Sequence, residues 1–134
     1  MPASSVLDSL ALLSFLRDEP GGEKVAHLLE KAGQREQPVH MTEVNYAETQ
    51  YIIRRKDGEA AWRVVADELT ALPIEFHPGD RRLADLAADF KTRFKLSLAD
   101  AFAAALAKLR NTELVTGDTE FKAVEGEIKI GWLK

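Results

Sequence analysis

The sequence predicts an α/β fold with a central parallel β-sheet flanked by α-helices. Three observations carry that expectation. Short apolar runs alternate with longer segments of helical period. Turn signals rich in Gly, Pro and Asp fall between those segments. No repeat, low-complexity tract or long linker interrupts the series over 134 residues, so one domain, residues 1–134, is expected.

Ser5-Val6-Leu7 reads as the first strand, followed by an apolar helix from about Ser9 to Arg17 that Pro20-Gly21-Gly22 ends. A polar-faced helix then runs to Lys31, with Gly33 expected as its C-terminal cap. Pro38 to Met41 is the second strand, and Thr42 caps a helix reaching Lys56, where Asp57-Gly58 breaks it. A further helix covers Glu59 to Thr70. Ile74 to His77 is the third strand, closed by Pro78-Gly79-Asp80 before a helix through Phe90. The basic stretch Lys91 to Lys95 precedes the most apolar helix, Leu98 to Leu109. Leu114 to Thr116 is the fourth strand, and Ile128 to Ile130 alternates like an edge strand.

Composition bounds the chemistry. Hydrophobic residues make up 46% and charged residues 30%, a balance that excludes intrinsic disorder. With no cysteine, disulfides, thiolate zinc sites and cysteine nucleophiles are excluded together. The net charge of −4, from 18 basic and 22 acidic side chains, provides no global positive field for nucleic acid, so basic contacts must be local. The stretch Leu10 to Leu16 is far too short for a membrane span. It also lacks the basic flank of a signal peptide, and a cytoplasmic location is expected.

Four acids stand out. Asp8 follows the first strand and Asp118 the fourth, and ligands of open parallel sheets gather beyond the carboxyl ends of strands. Each alone also reads as a cap or turn residue. Asp100 fits the capping box Ser97-Leu98-Ala99-Asp100. Its helix is apolar nearly all round, with Leu98, Phe102, Ala105, Leu106 and Leu109 on one face, which predicts a buried helix carrying Asp100 inward. Glu48 has Val44, Tyr51 and Ile52 as helical neighbours, an apolar stripe where a carboxylate needs a cation or an ion-pair partner.

Clustered carboxylates repel one another and call for a cation. Oxygen ligands favour Mg²⁺ or Mn²⁺ over zinc. Ser9 and Thr116 are placed to hold the acids or their waters. His27, His40 and His77 lack metal-ligand spacing and receive no role.

The stretches Val6-Leu7-Asp8-Ser9-Leu10-Ala11-Leu12-Leu13 and Glu19-Pro20-Gly21 resemble the opening of PIN-domain ribonucleases, above all the VapC-type toxins of toxin–antitoxin pairs. Thr42 to Glu48 resembles the family's second acidic motif, Leu96 to Ala101 its third, and Leu114 to Phe121 its fourth. The motifs follow in order over almost the whole chain. One departure is Ser9-Leu10, where many members have threonine then serine; the hydroxyl is kept.

The resemblance implies strand order 3-2-1-4-5, with Asp8 and Asp118 on adjacent strands. It also implies metal-dependent hydrolysis of RNA, with Asp8, Asp100 and Asp118 holding one or two Mg²⁺ ions (Mn²⁺ as the substitute) and Glu48 binding metal or orienting water. A small VapB-like antitoxin and a homodimer are the implied partners, and Leu12, Leu13, Phe15 and Leu16 are compatible with such surfaces, though better suited to a core.

Lys91, Arg93 and Lys95 surround Phe94 just before Asp100 and are expected to contact RNA phosphates; Phe94 itself suits a buried position better than base stacking. Two other readings compete. A non-catalytic PIN-like module would bind RNA or protein through the same fold. A phosphoacceptor receiver domain would need an acidic pair after its first strand, which Asp8-Ser9 does not supply.

Overall fold

The computed structural model describes residues 4–133. Its five strands are β1 (Val6–Leu7), β2 (Val39–Thr42), β3 (Ile74–His77), β4 (Leu114–Thr116) and β5 (Ile130–Trp132). They form one sheet in the order β3-β2-β1-β4-β5, every pairing parallel. Parallel neighbours cannot be joined by tight turns, so helices carry most of the crossovers. These are α1 (Ser9–Leu16), α2 (Gly22–Arg35), α3 (Glu43–Asp57), α4 (Glu59–Ala71), α5 (Arg81–Arg93) and α6 (Leu98–Arg110), with a short 3₁₀ helix at Thr119–Val124.

Side-chain alternation divides the core. Val6 pairs in register with Leu114, and Leu7 with Val115, so the two pairs point to opposite faces. Val6 and Leu114 pack with Leu83, Phe90 and Leu106 of α5 and α6. Leu7 and Val115 pack with Ala11, Val25 and Leu29 of α1 and α2, and Leu12 meets Met41 and Leu69 beside them. Ala101, Ala103, Ala104, Ala105 and Ala107 are all fully buried. Their small side chains let α6 lie close against the sheet.

Several boundaries differ from the sequence reading. Gly33 lies inside α2, which runs on to Arg35 and ends at Glu36 with φ 52°. That left-handed turn costs a non-glycine residue about 1 kcal/mol. Extension of α5 to Arg93 draws Lys91 and Arg93 out of the expected loop and into a helix. The last strand begins at Ile130, while Ile128 is core. In α6 the buried face is Ala101 to Ala107; Leu98 at its first position is 55% exposed and Leu109 is also exposed. Leu12 and Leu13 are buried, which removes them from any partner surface, and Phe15 and Leu16 are half-buried.

The junction of α1 and α2 depends on a missing side chain. A Cβ at Gly22 would stand 2.4 Å from the Ser14 carbonyl oxygen, which is rigid backbone. Gly22→Ala is therefore expected to destabilise the protein by about 1–3 kcal/mol, measured by urea unfolding. A wild-type midpoint would contradict this account of the junction.

Candidate active site

Asp8 is the pivot of the site. It leaves β1 as the N-cap of α1, its Oδ1 accepting from the Ala11 N–H at 2.8 Å. Parallel register brings Thr116 alongside, and the Thr116 hydroxyl donates to Asp8 Oδ2. Thr116 Oγ1 in turn accepts from the Asp118 N–H at 3.0 Å. One threonine thus ties the acids at the ends of β1 and β4 together. Asp118 Oδ1 accepts from the Glu120 N–H at 2.9 Å, which starts the 3₁₀ helix.

Asp100 arrives from the other side. Ser97 caps α6, its hydroxyl accepting from the Asp100 N–H at 3.1 Å, and the carboxylate is half-buried at the helix entrance rather than taken inside. Asp100, Asp118 and Glu120 each offer a carboxylate oxygen within 4.8 Å of the others. Nothing in the sequence marks Glu120, two residues beyond Asp118, as a site residue; a tight 3₁₀ turn is what aims both at one point.

Glu48 comes from α3, but not from an apolar stripe. The buried face of α3 is Asn45, Thr49 and Ile53, while Tyr51 is exposed and Ile52 half-buried. Asn45, fully buried, fixes this geometry. Its Nδ2 donates to the Ala99 carbonyl at 3.1 Å, its N–H donates to Thr42 Oγ1 at 2.9 Å, and its carbonyl accepts from the Ser9 hydroxyl at 3.1 Å. Ser9 therefore anchors α1 to α3 instead of holding a carboxylate. Asn45 locks three segments that carry acids.

The electrostatics are those of an uncompensated cluster. Burial, opposed by the two hydrogen bonds and reinforced by Asp100 and Asp118, pushes the Asp8 carboxyl up to about 7. Burial, with Asp118, Glu48 and Glu120 nearby, pushes Asp100 up to about 6. Among the described residues no Lys or Arg forms an ion pair with Asp8, Glu48, Asp100, Asp118 or Glu120. Oxygen donors converging without a counter-cation fit a hard divalent cation. Its binding must release protons. Calorimetry with Mn²⁺ is expected to show affinity falling at least about tenfold from pH 7.5 to pH 5.5; a pH-independent affinity would contradict this reading.

The basic segment is less open than its sequence implies. Arg93 pairs with Asp89 and with Glu127, and Glu127 also takes Lys108. Lys108 lies eight residues beyond Asp100, about 12 Å along α6, so Arg93 points away from the acids and its charge is already met. Lys91 Nζ donates to the Leu96 carbonyl at 2.9 Å, Lys95 is exposed, and Phe94 packs against the core. A groove of about 640 Å³ lined by Lys108, Thr112, Glu113, Glu127 and Lys129 holds none of the five acids.

A five-stranded parallel sheet in this order, flanked by helices and carrying acids at the ends of β1 and β4, is the architecture of a PIN domain. The chain belongs to the PIN-domain family, whose family profile matches residues 5–127. No curated protein matches the chain in sequence.

Solved structures do. VapBC2 from Rickettsia felis, bound to a promoter DNA fragment, is 18% identical with a TM-score of 0.75, covering 95% of this chain and 96% of its own. DNA-bound VapBC from Salmonella typhimurium is 15% identical at a TM-score of 0.76, covering 98% and 99%. Mycobacterium tuberculosis VapC20, described as a sarcin-ricin loop cleaving toxin, is 16% identical at 0.71, covering 90% and 95%. At these identities the likeness is one of fold.

Proposed function

We propose that the protein, read as one PIN domain over residues 1–134, is a Mg²⁺-dependent endoribonuclease and the toxin of a type II toxin–antitoxin pair. The observation that carries this reading is the cluster of Asp8, Asp100, Asp118 and Glu120, brought to one end of the sheet with no basic partner among the described residues. Membership of the PIN family and the VapC fold neighbours support it.

Asp100, Asp118 and Glu120, with Asp8 beside them, would hold Mg²⁺ or Mn²⁺. When bound, such a cation neutralises charge on the scissile phosphate and makes water a better nucleophile at neutral pH. Asp8 is held rigidly by the Ala11 N–H and the Thr116 hydroxyl, so its carboxylate is pre-aimed and needs no reorganisation. Glu48 is close enough to act electrostatically on Asp100 and would orient the attacking water. In-line attack on phosphorus would break the bond to the 3′ oxygen and leave a 5′-phosphate and a 3′-hydroxyl. Lys95 and Lys91 keep their charges for RNA phosphates, whereas Arg93 serves the α5–α6 scaffold.

The partners follow the same logic. A pocket of about 340 Å³ lined by Leu10, Ser14, Pro20, Gly21, Gly117 and Leu133 adjoins the turn bearing Asp118. Leu10 is 43% exposed, and this apolar pocket suits a segment of a small antitoxin. Exposed Tyr51 and Val64 on α3 and α4 offer apolar surface to a second copy in a homodimer. Among the described residues no helix is long and apolar enough to cross a membrane; a cytoplasmic location belongs to the toxin reading, whose RNA substrate is there.

The test is incubation of purified protein with total cellular RNA in Mg²⁺ and in chelator. Discrete cleavage only with Mg²⁺ is expected. RNA retention without cleavage, with metal bound, would favour a non-catalytic binding module instead.

A further inference from the structure

The three histidines carry no spacing signal, yet the sheet brings two of them into contact. Parallel pairing of β2 with β3 sets His40 against Glu75 and Thr42 against His77. His40, Glu75 and His77 consequently share one face of the sheet. His40 also pairs with Val6, which puts all three on the side covered by α5 and α6. His40 Nδ1 lies 2.8 Å from His77 Nε2, and His77 Nε2 lies 3.3 Å from Glu75 Oε2. The three ligand atoms fall within 4.8 Å of one another.

We infer that His40, Glu75 and His77 form a second metal site, for a borderline transition ion such as Zn²⁺, Co²⁺ or Ni²⁺, separate from the carboxylate cluster. Two imidazole nitrogens and one carboxylate oxygen are the donor set such ions prefer and Mg²⁺ does not. Ligand atoms about 2.0–2.1 Å from a tetrahedral zinc stand roughly 3.3 Å apart. The His77–Glu75 distance already matches that separation, and the two rings need to part by only about half an ångström from hydrogen-bonding distance.

The protonation state also suits a metal. Burial lowers the pKa of His40 to about 4 and lowers that of His77, so both rings are neutral at physiological pH, the form that ligates. The proton shared between Nδ1 and Nε2 moves to the outer nitrogen of one ring, which costs no net charge. Arg110, at the end of α6, acts on both rings and opposes a cation, whereas Glu75 supplies the negative charge that offsets it. Glu75 is more than half exposed and His77 partly so, leaving access for the ion and a water as fourth ligand.

The site would clamp the edge strand β3 to β2. It is displaced from the acids across the sheet: His77 on β3 is level with Asp8 but two strands away, about 10 Å, and His40 and Glu75 lie two residues further back along their strands.

The test uses the full chain without an affinity tag, titrated with Zn²⁺ by calorimetry in excess Mg²⁺, which occupies the carboxylates. One equivalent of Zn²⁺ is expected, and Co²⁺ should produce the visible absorption of an ion with nitrogen ligands. His77→Ala and Glu75→Gln should weaken Zn²⁺ by at least the roughly 10–100-fold that loss of an outer-sphere partner costs. His77→Gln, of similar volume, should behave as His77→Ala with an unchanged circular dichroism spectrum. Asp118→Asn should bind Zn²⁺ as wild type does, which separates this site from the nuclease reading. Zn²⁺ binding that survives both His77 variants, or that disappears in Asp118→Asn, would overturn the inference.

Discussion

Asp8→Asn is expected to abolish RNA cleavage and, at the same time, to raise the melting temperature of the metal-free protein at pH 7. The carboxylate titrates at about 7 in the fold against 3.8 in a free chain. Between those values the folded state holds a proton that the unfolded chain has released, so its stability falls as pH rises through the window. At about 1.4 kcal/mol for each pH unit, the loss at pH 7 reaches roughly 2–4 kcal/mol. Asparagine removes that cost, keeps an oxygen for the Ala11 N–H and turns its Nδ2 to the Thr116 hydroxyl, which then accepts instead of donating; the proposed metal ligand is lost.

The expected gain is on the order of 5–10 °C at pH 7, closing to nothing near pH 4. His40 acts with the opposite sign. Its pKa is lowered to about 4, so its contribution is lost as pH falls from 6.5. Because it is present in both proteins, it cancels in the difference. Mg²⁺ should stabilise the wild type and do so less for the variant. An inactive variant that melts below wild type at pH 7 would instead mean that Asp8 is needed for folding.

Asn45→Ala should lose both stability and activity. It removes the donor to the Ala99 carbonyl and leaves the buried Thr42 hydroxyl without its Asn45 Oδ1 acceptor. A buried polar group left unpaired costs about 1–3 kcal/mol, and the cavity adds to it, for a total of about 2–4 kcal/mol. The entrance of α6, which carries Asp100, is then no longer fixed to α3. RNA cleavage below the melting transition should drop more than RNA binding does. Chemical denaturation and initial rates measure the two effects; near wild-type values for both would show that Asn45 is not the hub described.

Asn45 also shows where the sequence stops being legible. The strands Ile74–His77 and Leu114–Thr116 have the limits that apolar runs bounded by Pro and Gly predict, and Thr42, Ser97 and Asp8 cap the helices they precede. Local chemistry decides such features. The inward face of α3 is decided by packing instead. Asn45 and Thr49 are polar, yet they are buried because each finds hydrogen-bond partners inside.

Turning Asn45 inward moves Glu48 off the stripe that its apolar neighbours implied. Arg93 reads as a free cation because Glu127 is 34 residues away. The meeting of His40 with His77 exists only through strand register, and Glu120 joins the acids only through the 3₁₀ turn. Of the acids, Asp8, Asp100 and Asp118 stood at strand ends or a helix entrance, where position alone marks them.

The proposed function requires these carboxylates to hold a divalent cation that promotes RNA hydrolysis. Mapping the ends of RNA fragments produced by wild type and by Asp118→Asn, in Mg²⁺ and in chelator, addresses it most directly. Ends carrying 5′-phosphate and 3′-hydroxyl are expected, formed by wild type in Mg²⁺ alone. Cleavage that persists in chelator, or fragments ending in 2′,3′-cyclic phosphate, would contradict it.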